Sequence, residues 1–230
     1  MARKEKNEQC PPIVCHQCDS KSEGTLCSIP NLVPLIDKIK INCHFKVGQM
    51  VFYAGNEPLG LFTVGRGLIK LESISPTGSA HTLRFVGPGG VLGYRSLFAN
   101  EAYHANAVAM EDSELCFIAK NEMLQLFQEH PEVALNLMSY LAKDLKSAEE
   151  KWLDQMDKGA AQRVAESLLF LQDHFKHQNW TRREIAQWAG TTPETVIRTL
   201  AQFEKEGTID QSDGRSIKII NRDKLSSKKD

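Results

Sequence analysis

Ten of the chain's fifteen glycines fall between Gly48 and Gly93. They divide the sequence into short apolar runs, "QMVFYAG", "GLFTVGRG", "LIKLESI" and "HTLRFVG", and "SELCFIA" follows further on. Glycine accepts the positive φ that tight corners require, and runs this short suit strands better than helices. The pattern predicts a barrel or sandwich of many short strands over residues 29–120, entered by a polar arm over 1–28.

Beyond this region the period changes. In "PEVALNLMSYLAKDLKSAEEKWLDQM", Pro131 suits a first helical turn, and Leu137, Leu141, Leu145, Ala148, Trp152 and Met156 recur at steps of four or three. Residues 121–158 are therefore expected to carry a long helix with one apolar stripe. The stripe fits a dimer seam, and packing on the chain's own β domain is the competing use. Gly159 breaks this helix from the next, "AAQRVAESLLFLQDHF".

A third texture fills 159–222. Thr181 with Glu184 makes a capping box, Gly190 can close that short helix, and Thr192 followed by Pro193 opens another. Two helices joined by a tight glycine turn form a helix-turn-helix, and the Asp213-Gly214 pair between alternating runs predicts a β-hairpin wing. Residues 223–230 are expected to be a tail. The whole reads as α+β.

Bulk charge does not identify a partner: from 160 to 230, 12 Lys and Arg stand against 10 Asp and Glu. The second helix of the pair is more informative. Glu194 and Arg198 lie one turn apart, opposite Val196 and Leu200, beside Thr192, Thr195 and Ile197. In a major groove Arg can bond guanine O6 and N7, Glu can accept from cytosine N4, and Ile can touch a thymine methyl. A plain surface ion pair between Glu194 and Arg198 is the bland alternative.

No apolar run reaches the roughly 18 residues a membrane span needs, and "MARKEKNEQC" has no apolar stretch behind its charges. The expectation is a cytoplasmic protein without a membrane partner, where thiols stay reduced. There a cysteine cluster more often binds metal or reacts than forms structural disulfides. Four of the six cysteines crowd into "CPPIVCHQCDSKSEGTLC", Cys10 to Cys27.

The order of glycine-rich β domain, long helix and winged helix-turn-helix resembles the CRP/FNR family of bacterial transcription regulators, over about residues 10–222. "KVGQMVFYAGNEPLGLFTVGRGLIKL", "VGPGGVLGYRSLF" and "TPETVIRTLAQFEKEGTI" carry the likeness. It implies a cupin-like β-roll resembling cyclic-nucleotide-binding domains, a dimerisation helix and a winged helix-turn-helix. The partners implied are an inverted-repeat operator in double-stranded DNA, a second copy of the chain, and RNA polymerase if the protein activates.

Within the family the cysteines resemble the oxygen-responsive fumarate and nitrate reduction branch. That likeness implies a [4Fe-4S] cluster on Cys15, Cys18, Cys27 and Cys116, with Cys10 outside the ligand set and Cys43 a small apolar residue. Two departures stand out. The gap from Cys18 to Cys27 is longer than in the branch's best-known members, and Cys10, Cys15 and Cys18 make a C-x4-C-x2-C run of ferredoxin type, in which Cys10 would replace Cys27. Four thiolates also suit structural zinc, and a disulfide switch or an electron-transfer protein are further readings.

The acidic Asp144, Glu149 and Glu150 on the long helix could oppose its pairing. Tyr94 after Gly93, the early position of Arg95-Ser96, and Ala148-Glu149 all depart from the cyclic-AMP branch, so no cyclic nucleotide is expected. No catalytic constellation stands out, and no enzyme activity is expected.

Overall fold

The structure is a computed structural model that describes residues 15, 18, 26–76, 78–175, 179–212 and 216–228. Most of the arm, Cys10 and the Asp213-Gly214 turn lie outside the described residues. Among those described, no helix is long and apolar enough to cross a membrane.

A 3-10 turn, Pro30–Leu32, leads into α1, Val33–Ile39, which positions the cysteine region. The strands follow as β1 Ile41–Phe45, β2 Met50–Phe52, β3 Gly60–Arg66, β4 Ile69–Ile74, β5 Ala80–Val86 and β6 Val91–Leu92. Short helix α2, Tyr94–Ala99, precedes β7 Asn106–Ala109 and β8 Ser113–Ala119. They make two four-stranded sheets, ordered β1-β8-β3-β6 and β2-β7-β4-β5. Every run singled out by its glycine borders holds one of these strands. At the β3–β4 corner Gly67 has φ 95°, and a Cβ there would stand 2.3 Å from Ser113 Oγ, so only glycine fits.

The roll's interior is filled. Phe52, Val64, Ile69, Leu71, Val86, Leu92, Tyr103 and Leu115 form one buried cluster, with the Phe52 and Tyr103 rings stacked at 3.8 Å between centroids. α3, Lys120–Glu129, follows β8, and α4, Pro131–Asp157, runs for 27 residues.

The chain divides into two compact units, residues 1–71 with 85–140, and residues 72–84 with 141–230. In the first, the start of α4 is part of the core. Val133 and Leu137 are buried, and Val91 N–H donates to Tyr140 Oη at 3.3 Å. This corrects the expected seam, because Leu137 already packs within its own unit. The exposed stripe starts elsewhere: Leu135, Met138, Ala142, Leu145, Glu149, Trp152 and Met156 alternate steps of three and four, the heptad period of a paired helix. Leu145, Trp152 and Met156 are exposed on it, Ala148 is exposed beside it, and Leu141 is half-buried.

In the second unit α5, Ala160–His174, packs with α6, Arg182–Ala189, and α7, Pro193–Lys205. β9, Ile209–Asp210, pairs antiparallel with β10, Lys218–Ile219. Val164, Leu168, Leu171, Ile185, Val196, Leu200, Phe203 and Leu225 are buried here. The expected tail is instead α8, Arg222–Ser226, capped by Asn221 and anchored by the fully buried Leu225. Lys151 on α4 donates to Thr82 O at 2.9 Å, and its ammonium stands 3.5 Å from the Trp188 ring centroid. Burial pushes that amine down to about 8, and the carbonyl and the indole face stabilise its charged form.

Candidate functional site

Strand register decides where Cys116 faces. Asn42, Cys116 and Thr63 lie abreast on β1, β8 and β3, whereas Leu115 is abreast of Val64 in the roll's interior. Because neighbours in a strand alternate faces, Cys116 belongs to the outer face of this sheet. Cys43 is in register with Leu115 and belongs to the other face.

The arm cysteines are held near this outer face by polar bonds from α1. Cys15 N–H donates to Asp37 Oδ1 at 3.1 Å, and Cys18 N–H closes a turn onto Cys15 O at 3.2 Å. Cys15 and Cys116 are buried, and Cys18 and Cys27 half-buried. Leu26, Leu32 and Ile36 are buried alongside them in the sequence.

The thiols perturb one another. The Cys27 thiol donates to the Cys15 sulfur, and this bond, ahead of opposing burial, draws Cys15 below the ordinary thiol range. Cys27 is pushed far up by the same bond, by burial, and by negative charge on Cys15, Cys116 and Cys18. Burial raises Cys116 to about 11, with Lys40 opposing and Cys15, Cys18 and Cys43 adding to the rise. All four resemblance-implied residues thus share one electrostatic neighbourhood, with Cys27 bonded into it. All five described cysteines are free thiols.

As donors these residues suit a thiophilic metal or cluster: four sulfurs, one of them drawn below the ordinary thiol range. Among the described residues, however, no three His, Cys, Asp or Glu side chains stand at metal-coordinating spacing. The sulfurs are gathered without being preset.

Lys40, Asp37, Asn42 and Thr63 are the neighbours that sequence reading missed. Lys40 Nζ lies 3.1 Å from Asp37 Oδ1, and the Cys116 sulfur lies 3.9 Å from Asn42 Oδ1. Only strand register could have revealed Asn42 and Thr63.

The second candidate surface is on α7. Thr192 caps it, accepting from Thr195 N–H at 3.2 Å, while Val196, Thr199, Leu200 and Phe203 face the core. That leaves Glu194, Ile197 and Arg198 exposed on the other side, with Thr195 half-buried at its edge. Among the described residues no ion pair joins Glu194 and Arg198, and both are exposed.

The turn before α7 is braced by residues the sequence did not single out. Gln155 Nε2 and Arg163 Nε both donate to Ala189 O, at 3.2 and 3.0 Å. Gly190 takes φ 63°, the left-handed conformation that favours glycine at a helix end. Thr181 and Glu184 complete the capping box of α6.

Comparison with known proteins agrees with this architecture. Residues 42–130 match the cyclic nucleotide-binding domain family and residues 162–228 the Crp-like helix-turn-helix domain family. A cyclic AMP receptor protein of Thermus thermophilus is 35% identical over 165 residues, 70% of this chain and 76% of that protein. Electron transport regulator A of Shewanella oneidensis is 29% identical over 228 residues, 93% and 89% of the two. A solved CRP/FNR-family transcriptional regulator of Thermus thermophilus, TTHA1359, superposes with a TM-score of 0.70 at 25% identity, covering 83% of this chain and all of that one. With a filled β-roll, a long helix and an outward-facing recognition helix behind a capped turn, the chain belongs to the CRP/FNR family of DNA-binding transcription regulators.

Proposed function

We propose that this regulator senses oxygen, or nitric oxide, at Cys15, Cys18, Cys27 and Cys116, and binds an inverted-repeat operator as a homodimer paired along α4. The observation that carries this reading is the burial of Cys15, bonded to α1 through Asp37, and of Cys116 on the outer face of β8, with Cys18 and Cys27 half-buried. A [4Fe-4S] cluster on these residues would supply sensitivity to oxidants, which zinc lacks. Tyr94 after Gly93, and Ala148-Glu149, which depart from the cyclic-AMP branch, favour a signal other than a cyclic nucleotide.

The chain's own contacts supply a route from the thiols to the pairing helix. Ser28, next to Cys27, accepts from Asn136 Nδ2 on α4 at 3.5 Å. With the thiols ligated, the arm is tied both to β8 and to this helix. Any interaction made only in that arrangement stabilises it over the alternatives. Paired helices would let two α7 elements enter major grooves about 34 Å apart. Opposing charge would come from Glu149, since Asp144 is paired with Arg84 and Glu150 lies 3.6 Å from Lys146.

The deciding experiment is purification without oxygen, followed by iron and acid-labile sulfide assays, a visible spectrum before and after air, and operator titration in both states. Visible absorbance that bleaches together with DNA binding is expected. A colourless preparation that still binds its operator overturns the proposal. The hydrogen bond between Cys15 and Cys27 favours a disulfide switch as second reading, in which oxygen takes two electrons and two protons from the pair, and mass spectrometry of the air-exposed chain would show the loss of two hydrogen atoms.

On α7, Arg198→Ala should weaken operator binding by about 1–3 kcal/mol and flatten discrimination at one guanine. Titrating a selected operator and its single-base variants measures this. A loss equal at every variant would make Arg198 a phosphate contact.

A further inference from the structure

Lys40 is an inverted ion pair. At a helix end, an i,i+3 Asp–Lys pair ordinarily keeps its long cation in water. Here the cation is the hidden member, its side chain 2% exposed against 32% for Asp37. Its partner oxygen, Asp37 Oδ1, lies 3.1 Å from Lys40 Nζ and is the same atom that accepts Cys15 N–H at 3.1 Å. The buried amine thus shares one carboxylate oxygen with the backbone of the arm cysteine Cys15.

Thr63 gives a second, independent observation. It is 6% exposed, lies abreast of Cys116, and its Oγ1 is buried without a hydrogen-bond partner among the described residues. A buried hydroxyl left unbonded is costly, so such a group is expected to serve an acceptor that arrives later. The neighbouring acceptor in its row is the Cys116 sulfur, which as a ligating thiolate would take a hydroxyl hydrogen bond.

We propose that Lys40 and Thr63 are the charge-balancing shell of the four-thiolate site, Lys40 offsetting its net negative charge and Thr63 donating to the Cys116 sulfur. The inference rests on the iron-sulfur reading above. Four thiolates leave a cluster negatively charged, and nearby positive charge and sulfur hydrogen bonds raise its reduction potential. Neither residue ligates. Both act through the sulfurs.

The test is a redox titration of the full chain purified without oxygen, beside the iron-to-protein ratio, for Lys40→Met, Lys40→Arg and Thr63→Val. Lys40→Met and Thr63→Val should each shift the midpoint potential negative, and Lys40→Arg should keep the parent value. Should Lys40→Met fail to load iron while Lys40→Arg loads fully, the requirement for positive charge stands. A fully loaded Lys40→Met chain at the parent potential, or failure of Lys40→Arg alone, overturns the proposal. A parent preparation without iron sinks the cluster reading together with this one, whereas a coloured parent beside an unmoved Lys40→Met sinks this one only.

Discussion

Cys116→Ala is expected to lower operator affinity measured without oxygen by at least about 100-fold, roughly 2.7 kcal/mol, and to leave a folded chain. The substitution removes one sulfur from the middle strand of the β1-β8-β3 face and leaves every ladder hydrogen bond in place. The stability cost should be near 1 kcal/mol, the ordinary toll of a small void. What disappears is the only one of the four sulfurs supplied by the sheet. Without it the three arm thiols have no point of attachment on the roll, and ligation cannot favour the arm-docked state. Iron content, circular dichroism and fluorescence anisotropy on one preparation separate these effects. Cys43→Ala, in the same β1–β8 pair but on the other face, is the matched control and should bind like the parent. Equal anaerobic affinity for the Cys116→Ala chain and its parent would remove the thiols from the mechanism.

The contrast between these two cysteines marks where sequence reading stops. Composition and spacing bring Cys15, Cys18, Cys27 and Cys116 together only through a family likeness. It is the register Cys116↔Thr63 and Cys116↔Asn42 that fixes the face, and no local pattern encodes a register spanning 74 residues. Lys40 was invisible for the same reason, since a lysine at a helix end looks solvated until its neighbours are known. The strands were legible because glycine corners leave few alternatives. Helices α1 and α2, of 7 and 6 residues, were not, being too short to show a period. The turn of the helix-turn-helix was readable from Thr181, Glu184, Gly190, Thr192 and Pro193, since capping is local chemistry. Its brace by Gln155 and Arg163 was not, because nothing nearby in sequence signals a bond to Ala189 O.

The long helix shows a subtler ambiguity, and it leads to the other large effect. Two apolar rows run along α4 and converge at Leu145, Trp152 and Met156. One begins at Leu137 and the other at Leu135 and Met138. Spacing alone cannot choose between them, because steps of three and four fit both, but burial of Leu137 assigns the first row's start to the protein's own core. The row through Leu135, Met138, Ala142, Leu145, Glu149, Trp152 and Met156 is therefore the one left for a second copy. Leu145→Glu places a charge at the centre of that row, where a facing helix would have to desolvate it. Dimers should dissociate in sedimentation runs without oxygen. Operator affinity should fall about 100-fold or more, because each half-site must then be bound without help from the other. Glu149→Leu should act in the opposite sense, completing the apolar row so that dimers and DNA binding survive air. Leu137→Ala should instead lower the melting temperature without a specific change in association. If Leu145→Glu remains dimeric at micromolar concentration, α4 does not pair along this row and the coupling of arm to operator must run through another surface.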